Sequence, residues 1–234
     1  QGIWWFGAAI TLIAFLVYAA VVDSPKRTEG TVGSQSETPV SLTQGLASLN
    51  TWLLAVAFAG FNFSLVAYST WVPSFMSQVH GIEPAVASFY ASLPSLAVIP
   101  SGIFAGWVLD RVRNRKAVLG TALIVAVFVL IWCFNLGNTS VIIPYMIGLG
   151  FVVGFIPSST FTLAPETVPR PELAGMALAI VSLGQNFGML IGPPLVGRTV
   201  AGGSWLSGTY PIVIATAIAV VAVLLIRIKT RANR

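Results

Sequence analysis

The chain has 234 residues, of which 56% are hydrophobic and only 8% carry a charged side chain. A soluble domain typically carries about 25% charged residues, because its surface must stay hydrated. This composition excludes a water-facing globule, and the single cysteine, Cys133, excludes both an intramolecular disulfide and a metal cage built from cysteines.

Seven apolar stretches follow one another along the chain. Each is long enough for a helix that crosses a hydrocarbon core of about 30 Å, which takes roughly 20 residues. The alternation of apolar and polar residues that is typical of a barrel strand is missing from all of them. The sequence therefore predicts an all-α polytopic membrane protein with seven transmembrane helices, at about residues 3–22, 50–76, 85–109, 117–136, 140–163, 173–196 and 209–226.

Residues 23–46 differ from every other connection, because they form a long stretch rich in Ser, Thr, Gly and Glu. Such a composition is typical of a flexible polar linker. We expect it to separate a lone helix at residues 1–22 from a block of six helices at residues 47–234. An ordinary long loop is the alternative interpretation.

The basic residues indicate how the chain is oriented. If the chain crosses the membrane seven times, all of them except Arg198 fall on one side: Lys26, Arg27, Arg111, Arg113, Arg115, Lys116, Arg170, Arg227, Lys229, Arg231 and Arg234. Cytoplasmic loops carry such an excess of Lys and Arg, so the C-terminus is predicted to be cytoplasmic. The net charge of +5 then reflects topology and anionic lipid headgroups, and no nucleic acid partner is expected.

The connection between the third and fourth helices reads GWVLDRVRNRK and carries Gly106, Asp110, Arg111, Arg115 and Lys116. This pattern resembles the loop signature of the major facilitator superfamily, G-x-x-x-D-R-x-G-x-R-[RK]. Arg113 is a departure, because the signature has glycine there. The family repeats the signature, usually degraded, between its eighth and ninth helices.

The resemblance implies that the block of six helices is the C-terminal half of a major facilitator fold, family helices seven to twelve. The helix at residues 1–22 would be the last helix of the N-terminal bundle, and residues 23–46 would be the central cytoplasmic linker. The remaining N-terminal helices of the same polypeptide are then expected as a partner that this sequence does not include.

The signature residues are expected to form a conformational-switch loop together with Glu166, which would pair with Arg111 or Arg115. Asp110 is expected to accept hydrogen bonds from the N-terminus of a neighbouring helix. Gly106, four residues after Gly102, is expected to let another helix approach closely. Residues 164–197, which contain Glu166, resemble the connection between the family's tenth and eleventh helices.

Polar side chains are concentrated in the stretches that resemble cavity-lining helices of the family, because polar groups in hydrocarbon must face protein or water. The candidate substrate contacts are Asn62, Tyr68, Trp71, Tyr90, Gln185 and Asn186. Trp71 is equally well explained as a tryptophan of the membrane interface, and Gln185 and Asn186 as interhelical hydrogen bonds. Gly184, Gly188 and Gly192 recur every four residues and predict a tight helix contact.

The resemblance implies a secondary active transporter that moves a small solute by alternating access, in a bacterial inner membrane. A retinal protein is excluded because Lys26, Lys116 and Lys229 all flank the predicted spans. An enzyme is not expected, because the spans hold no carboxylate and the one histidine, His80, falls in a loop. No cofactor and no metal are expected. A non-transporting membrane sensor or receptor of the same fold is the alternative.

Overall fold

The computed structural model describes residues 2–21 and 45–227, and these residues form an all-α polytopic membrane protein. The α-helices are α1 (Gly2–Val21), α2 (Leu49–His80), α3 (Pro84–Arg111), α4 (Arg115–Leu130), α5 (Thr139–Leu163), α6 (Ala174–Ala201) and α7 (Thr209–Leu225). They match the seven predicted stretches in order. Most of the predicted linker at residues 23–46, and the basic residues predicted beyond Arg227, lie outside the described residues.

Two separate units make up the described residues. The first contains α1, a 20-residue helix without a charged side chain, in which the hydroxyl of Thr11 donates a hydrogen bond to the carbonyl of Gly7 at 2.9 Å. The second contains α2 to α7, which we call the bundle. We call the end of the bundle where α3 ends and α4 begins the basic end, because Arg111, Arg113, Arg115 and Lys116 lie there.

Five helices, α2, α3, α5, α6 and α7, are long and apolar enough to cross a membrane. Helix α4 is not one of these five and is the shortest α-helix of the described residues, with 16 residues. It ends at Leu130, six residues before the predicted end of its apolar stretch. Residues 131–134 form a turn instead, in which the amide of Cys133 bonds to the carbonyl of Leu130 at 3.2 Å. The turn buries Phe134 among the rings of Tyr68, Phe75 and Trp205, which explains why the chain leaves the helix here.

The closest helix contact joins α2 and α6 through glycines that recur every four residues. Gly184, Gly188 and Gly192 of α6 lie against the carbonyl groups of Ala55, Ala59 and Phe63 of α2. A Cβ at any of the three glycines would collide with that backbone, so only glycine permits this approach. The predicted tight contact is therefore confirmed, and its partner is α2.

A buried pair of hydroxyl groups ties α2 to α7 in the middle of the bundle. The Ser64 hydroxyl lies 2.8 Å from the carbonyl oxygen of Ile212, and the Thr216 hydroxyl lies 2.8 Å from the Ser64 oxygen. Both side chains are fully buried. Burying a hydroxyl group costs free energy unless it is hydrogen-bonded, and here Thr216 donates to the Ser64 oxygen while Ser64 donates to the Ile212 carbonyl.

Helices α3 and α5 approach each other on a different face of α3 from the predicted one. Gly154 lies against Ser101, whose hydroxyl donates a hydrogen bond to the carbonyl of Phe151. A Cβ added to Gly106, in contrast, would meet nothing within 4 Å in the described part of the chain. A Cβ added to Gly102 would lie 3.9 Å from the hydroxyl oxygen of Ser158 in α5, which is an ordinary contact distance. The close approach at Gly102 and Gly106 therefore stays a prediction, and the tight contact with α5 lies at Ser101, one residue away and rotated by about 100°.

Candidate functional site

An ion pair at the basic end joins the first residue of α4 to the connection between α5 and α6. The Nη1 atom of Arg115 lies 2.7 Å from Oε1 of Glu166, which belongs to the short 3-10 helix Ala164–Thr167. About a third of each side chain is exposed. Exposed pairs of this kind stabilise a fold by roughly 0–1 kcal/mol, so this pair can open at low cost. The geometry selects Arg115, and not Arg111, as the partner of Glu166.

Arg111 turns back along α3 towards Trp107. Its guanidinium carbon lies 4.0 Å from the centre of the indole ring, and its Nη1 atom donates a hydrogen bond to the carbonyl of Trp107 at 3.2 Å. A cation over an aromatic face is attracted by about 0.5–1 kcal/mol at an exposed site. The side chain is exposed, so most of its hydrogen-bond donors remain free for other groups.

The side chain of Asp110 is exposed and accepts no hydrogen bond from another residue in the described part of the chain. Its predicted contact with the N-terminus of a neighbouring helix stays a prediction. The N-terminus of α4, which is the nearest helix start in the chain, is capped by Asn114, whose Oδ1 accepts a hydrogen bond from the amide of Ala117 at 3.1 Å. Asn114 directly precedes the helix and supplies this cap in place of Asp110.

Lys116 connects the loop signature to the last helix. Its Nζ atom donates to the carbonyl of Leu224 at 2.9 Å and to that of Ile226 at 2.6 Å. These carbonyls lie at the C-terminal end of α7, where the last carbonyl groups of a helix have no partner within the helix and the dipole favours a cation. The signature lysine thus joins the beginning of α4 to the end of α7.

Neutral side chains also hold the basic end together, although none of them was predicted from the sequence. Asn50 exchanges two hydrogen bonds of 2.9 Å with the backbone of Arg227, one as donor and one as acceptor. The Ser48 hydroxyl donates to the carbonyl of Thr167 at 2.6 Å, and the hydroxyl groups of Thr51 and Thr167 lie 2.8 Å apart. The only local signal was Ser48 before an apolar run, which is typical of a helix N-cap.

Two of the candidate substrate contacts lie inside the bundle. Asn62 is buried, and its amide donates to the carbonyl of Phe58 in the same helix at 2.8 Å. Tyr68 is 1% exposed, and its hydroxyl lies 3.4 Å from the sulfur of Met146. In this conformation neither side chain faces a space that a solute can reach.

The other four candidates are partly or fully exposed. Trp71 donates its indole N–H to the carbonyl of Pro193 at 2.9 Å and so bridges α2 and α6. Tyr90 and Gln185 are partly exposed, and Asn186 is exposed, with its amide donating to the carbonyl of Ser182 at 2.8 Å. Gln185 and Asn186 are neighbours on α6, whereas Tyr90 lies on α3, so the structure does not gather the six candidates into one site.

Metal ligands are not brought together anywhere in residues 2–21 and 45–227, where no group of three or more His, Cys, Asp and Glu side chains could hold an ion. The polar groups that the bundle offers at its surface are neutral amides and hydroxyls, and its charged groups lie at helix ends and in connections. The arrangement suits hydrogen bonding to a solute and ionic contacts at the basic end.

The chain is similar in sequence to several proteins that are named transporters. It is 27% identical to the uncharacterized transporter YycB of Bacillus subtilis over 64% of this chain and 37% of that protein. It is 25% identical to the glycerol-3-phosphate transporter of the same organism, over 74% of this chain and 40% of that protein. It is 26% identical to the D-galactonate transporter of Escherichia coli O6:H1, over 58% of this chain and 33% of that protein.

The chain therefore spans well under half the length of these relatives. The family model of the Major Facilitator Superfamily matches residues 1–175, from α1 to the first residues of α6. This match covers helices α1 to α5, the loop signature and the ion pair at the basic end. The chain belongs to the major facilitator superfamily.

Proposed function

We propose that this chain is the C-terminal half, with one preceding helix, of a secondary transporter that moves a small solute by alternating access. Helix α1 would then be the last helix of the N-terminal bundle, and residues 23–46 the central linker between the two bundles. The basic end would face the cytoplasm. Family membership supports the transporter class, and the bundle supports the mechanism.

The observation that carries this proposal is an extensive exposed apolar surface along α3 and α6 of a bundle whose helices are joined by close internal contacts. Large apolar side chains are exposed along α3 and α6, among them Leu96, Ile99, Ile103, Leu183, Phe187 and Leu190. An apolar surface of this extent needs lipid or a partner. A second bundle of the same polypeptide would cover part of it and leave a central cavity beside Gln185 and Asn186.

The internal ties suit a bundle that moves as one body. The glycine contact joins α2 to α6, the hydroxyl pair joins α2 to α7, and Lys116 joins α4 to α7. Bending is still permitted where prolines interrupt the helical hydrogen bonds, at Pro94 and Pro100 in α3 and at Pro144 and Pro157 in α5. Rocking between an outward-open and an inward-open state requires both a bundle that moves as one body and helices that can bend.

The substrate class that we propose is a small organic anion. Two of the relatives above are named for glycerol 3-phosphate and D-galactonate, which both carry an acidic group. Within the described bundle the basic residues lie outside the middle of the helices. The bundle would therefore contribute neutral donors such as the amides of Gln185 and Asn186, and a cation for the anion would come from the other bundle.

Uptake by the full-length transporter in proteoliposomes tests the proposal. We expect accumulation of labelled glycerol 3-phosphate or galactonate against a gradient, and no accumulation of the neutral counterparts glycerol and galactose. Asn186→Ala should reduce uptake, whereas Ser88→Ala, at an exposed position near the start of α3, should not. Binding of an anion without any accumulation would instead identify a sensor of the same fold.

A further inference from the structure

An apolar groove of about 390 Å³ lies between α4 and α5 on the surface of the bundle. Val118, Thr121 and Val125 line it on α4, and Phe151, Val152 and Phe155 line it on α5. Thr121 is the only polar side chain in its lining, so the groove offers almost no hydrogen bonds. It begins just inside the basic end, at the first turn of α4, and follows that helix for about 12 Å at 1.5 Å per residue.

A continuous series of aromatic contacts leads from this groove to Arg111. Phe151 and Phe155 pack against Phe104, with ring centres 6.1 and 5.9 Å apart. Phe104 stacks on Trp107 with the ring centres 5.6 Å apart, and the guanidinium carbon of Arg111 lies 4.0 Å from the centre of the Trp107 ring. These aromatic side chains therefore connect the groove to the positive charge of Arg111.

Of the four basic side chains at this end of the groove, two are bound to other groups of the bundle and two are exposed. Arg115 is paired with Glu166, and Lys116 is bound to the end of α7. Arg111 and Arg113 are exposed, and neither is bound to a carboxylate within the described residues. Asp110 is the one carboxylate beside them in the chain, so the group retains a positive charge that the N-terminus of α4 increases.

We propose that this groove binds an anionic phospholipid, with one acyl chain between α4 and α5 and the phosphate on Arg111 and Arg113. An apolar groove just inside the basic end lies at the depth where the hydrocarbon of a leaflet begins. Arginines at helix ends extend towards the headgroup level, and basic pockets between transmembrane helices bind anionic headgroups. The lining is too apolar for a polar solute, so the site is distinct from the proposed transport pathway and does not depend on it.

Native mass spectrometry of the purified protein tests this site, with phosphatidylglycerol and phosphatidylcholine of identical acyl chains as probes. We expect the wild type to retain phosphatidylglycerol at a much lower lipid concentration than phosphatidylcholine. The double variant Arg111→Gln/Arg113→Gln should lose roughly thirtyfold in affinity for phosphatidylglycerol and little for phosphatidylcholine. Arg198→Gln, at the opposite end of the bundle, is the matched charge control and should change neither.

The apolar part of the site is tested separately by filling the groove. Thr121→Trp should reduce retention of both lipids, whereas Ile124→Trp, at an exposed position of α4 outside the groove, should leave both unchanged. If Thr121→Trp does not fold, Val125→Trp gives the same test. Equal retention of the two lipids by the wild type, or unchanged retention in the arginine double variant, would overturn the proposal. So would unchanged retention after the groove is filled.

Discussion

Lys116 shows how much a single side chain contributes when it meets a helix end. From the first turn of α4, its ammonium group donates hydrogen bonds to two carbonyl oxygens at the end of α7 that have no partner within that helix. The neighbouring Arg113 has the same charge but no such contact within the described residues. Lys116 and Arg113 therefore differ in their contribution to the bundle because only Lys116 contacts a helix end in the described part of the chain, although both carry the same charge.

We expect Lys116→Gln to destabilise the bundle by about 1 kcal/mol, because one charged contact with the helix end is lost. The melting temperature of the purified protein in detergent measures this loss. Arg113→Gln is the matched control and should melt within error of the wild type. Equal melting temperatures for both variants would show that the contact of Lys116 contributes nothing.

The pair of Arg115 and Glu166 is expected to influence conformation more than stability. Glu166→Gln should change the free energy of unfolding by less than about 1 kcal/mol, because both partners are partly exposed. It should nevertheless shift the balance between inward-open and outward-open states of the full-length transporter, measured by distances between spin labels. The exchanged pair Arg115→Glu/Glu166→Arg should restore the original balance, and failure to restore it would contradict this role.

At the scale of the helices, close backbone approach decides which elements belong together. Helices α2 and α6 lie far apart in the chain, yet their backbones approach closely because α6 has glycine, without a Cβ, at the three positions that face the α2 carbonyls. Helices α3 and α5 achieve a similar approach with Gly150 and Gly154, where Ser101 adds a hydrogen bond. Small residues thus fix the pairing of helices that apolar side chains alone would not distinguish.

Gly188→Ala should lower stability by about 1–3 kcal/mol, because the added methyl group would force α6 away from the backbone of Ala59. Melting temperature again provides the measurement. Gly175→Ala is a control in the same helix, since a Cβ there meets nothing within 4 Å, and the better helix propensity of alanine should keep it neutral or slightly stabilising. Equal destabilisation by both substitutions would mean that helix contact is not the cause.

For the whole molecule, the charge distribution predicts one orientation in the membrane. Arg113 lies in the connection after α3 and Gly203 in the connection after α6, at opposite ends of the bundle if each helix crosses the membrane. The native Cys133 is 0% exposed, so it should not react with maleimides in the folded protein. The wild-type sequence therefore provides an unreactive background for introduced cysteines.

We expect Arg113→Cys to react with a membrane-impermeant maleimide only from the cytoplasmic side, and Gly203→Cys only from the outside. The positive-inside rule supplies the reason. Intact cells and inverted membrane vesicles provide the two sides, and the unsubstituted chain gives the level due to Cys133. Labelling of both positions from the same side would end this topology.

The features that could be predicted are those that produce a local pattern in the sequence, such as a run, a spacing or a motif. Apolar runs predicted the helices, four-residue spacing predicted the glycine contact, and the loop signature narrowed the partner of Glu166 to Arg111 or Arg115, of which the structure shows Arg115. The end of α4 was not predictable, because it depends on Phe134 entering an aromatic cluster formed by distant residues. Tyr68 was placed at a substrate site because it is polar, but its ring is buried in the core, where its hydroxyl contacts Met146.

The glycine contact also has a consequence for the order in which the protein is made. About 130 residues separate each carbonyl group on α2 from its glycine on α6, which at 5–20 residues per second is roughly 6–26 seconds of synthesis. During that interval α2 lies in the bilayer without its main neighbour. The surface of α2 that later contacts α6 is formed by Ala55, Ala59 and the backbone near Phe63. Lipid chains can cover this surface at little free-energy cost. Translation that pauses before α6 should therefore leave a membrane-inserted but unassembled intermediate, which is the form that membrane proteases would degrade.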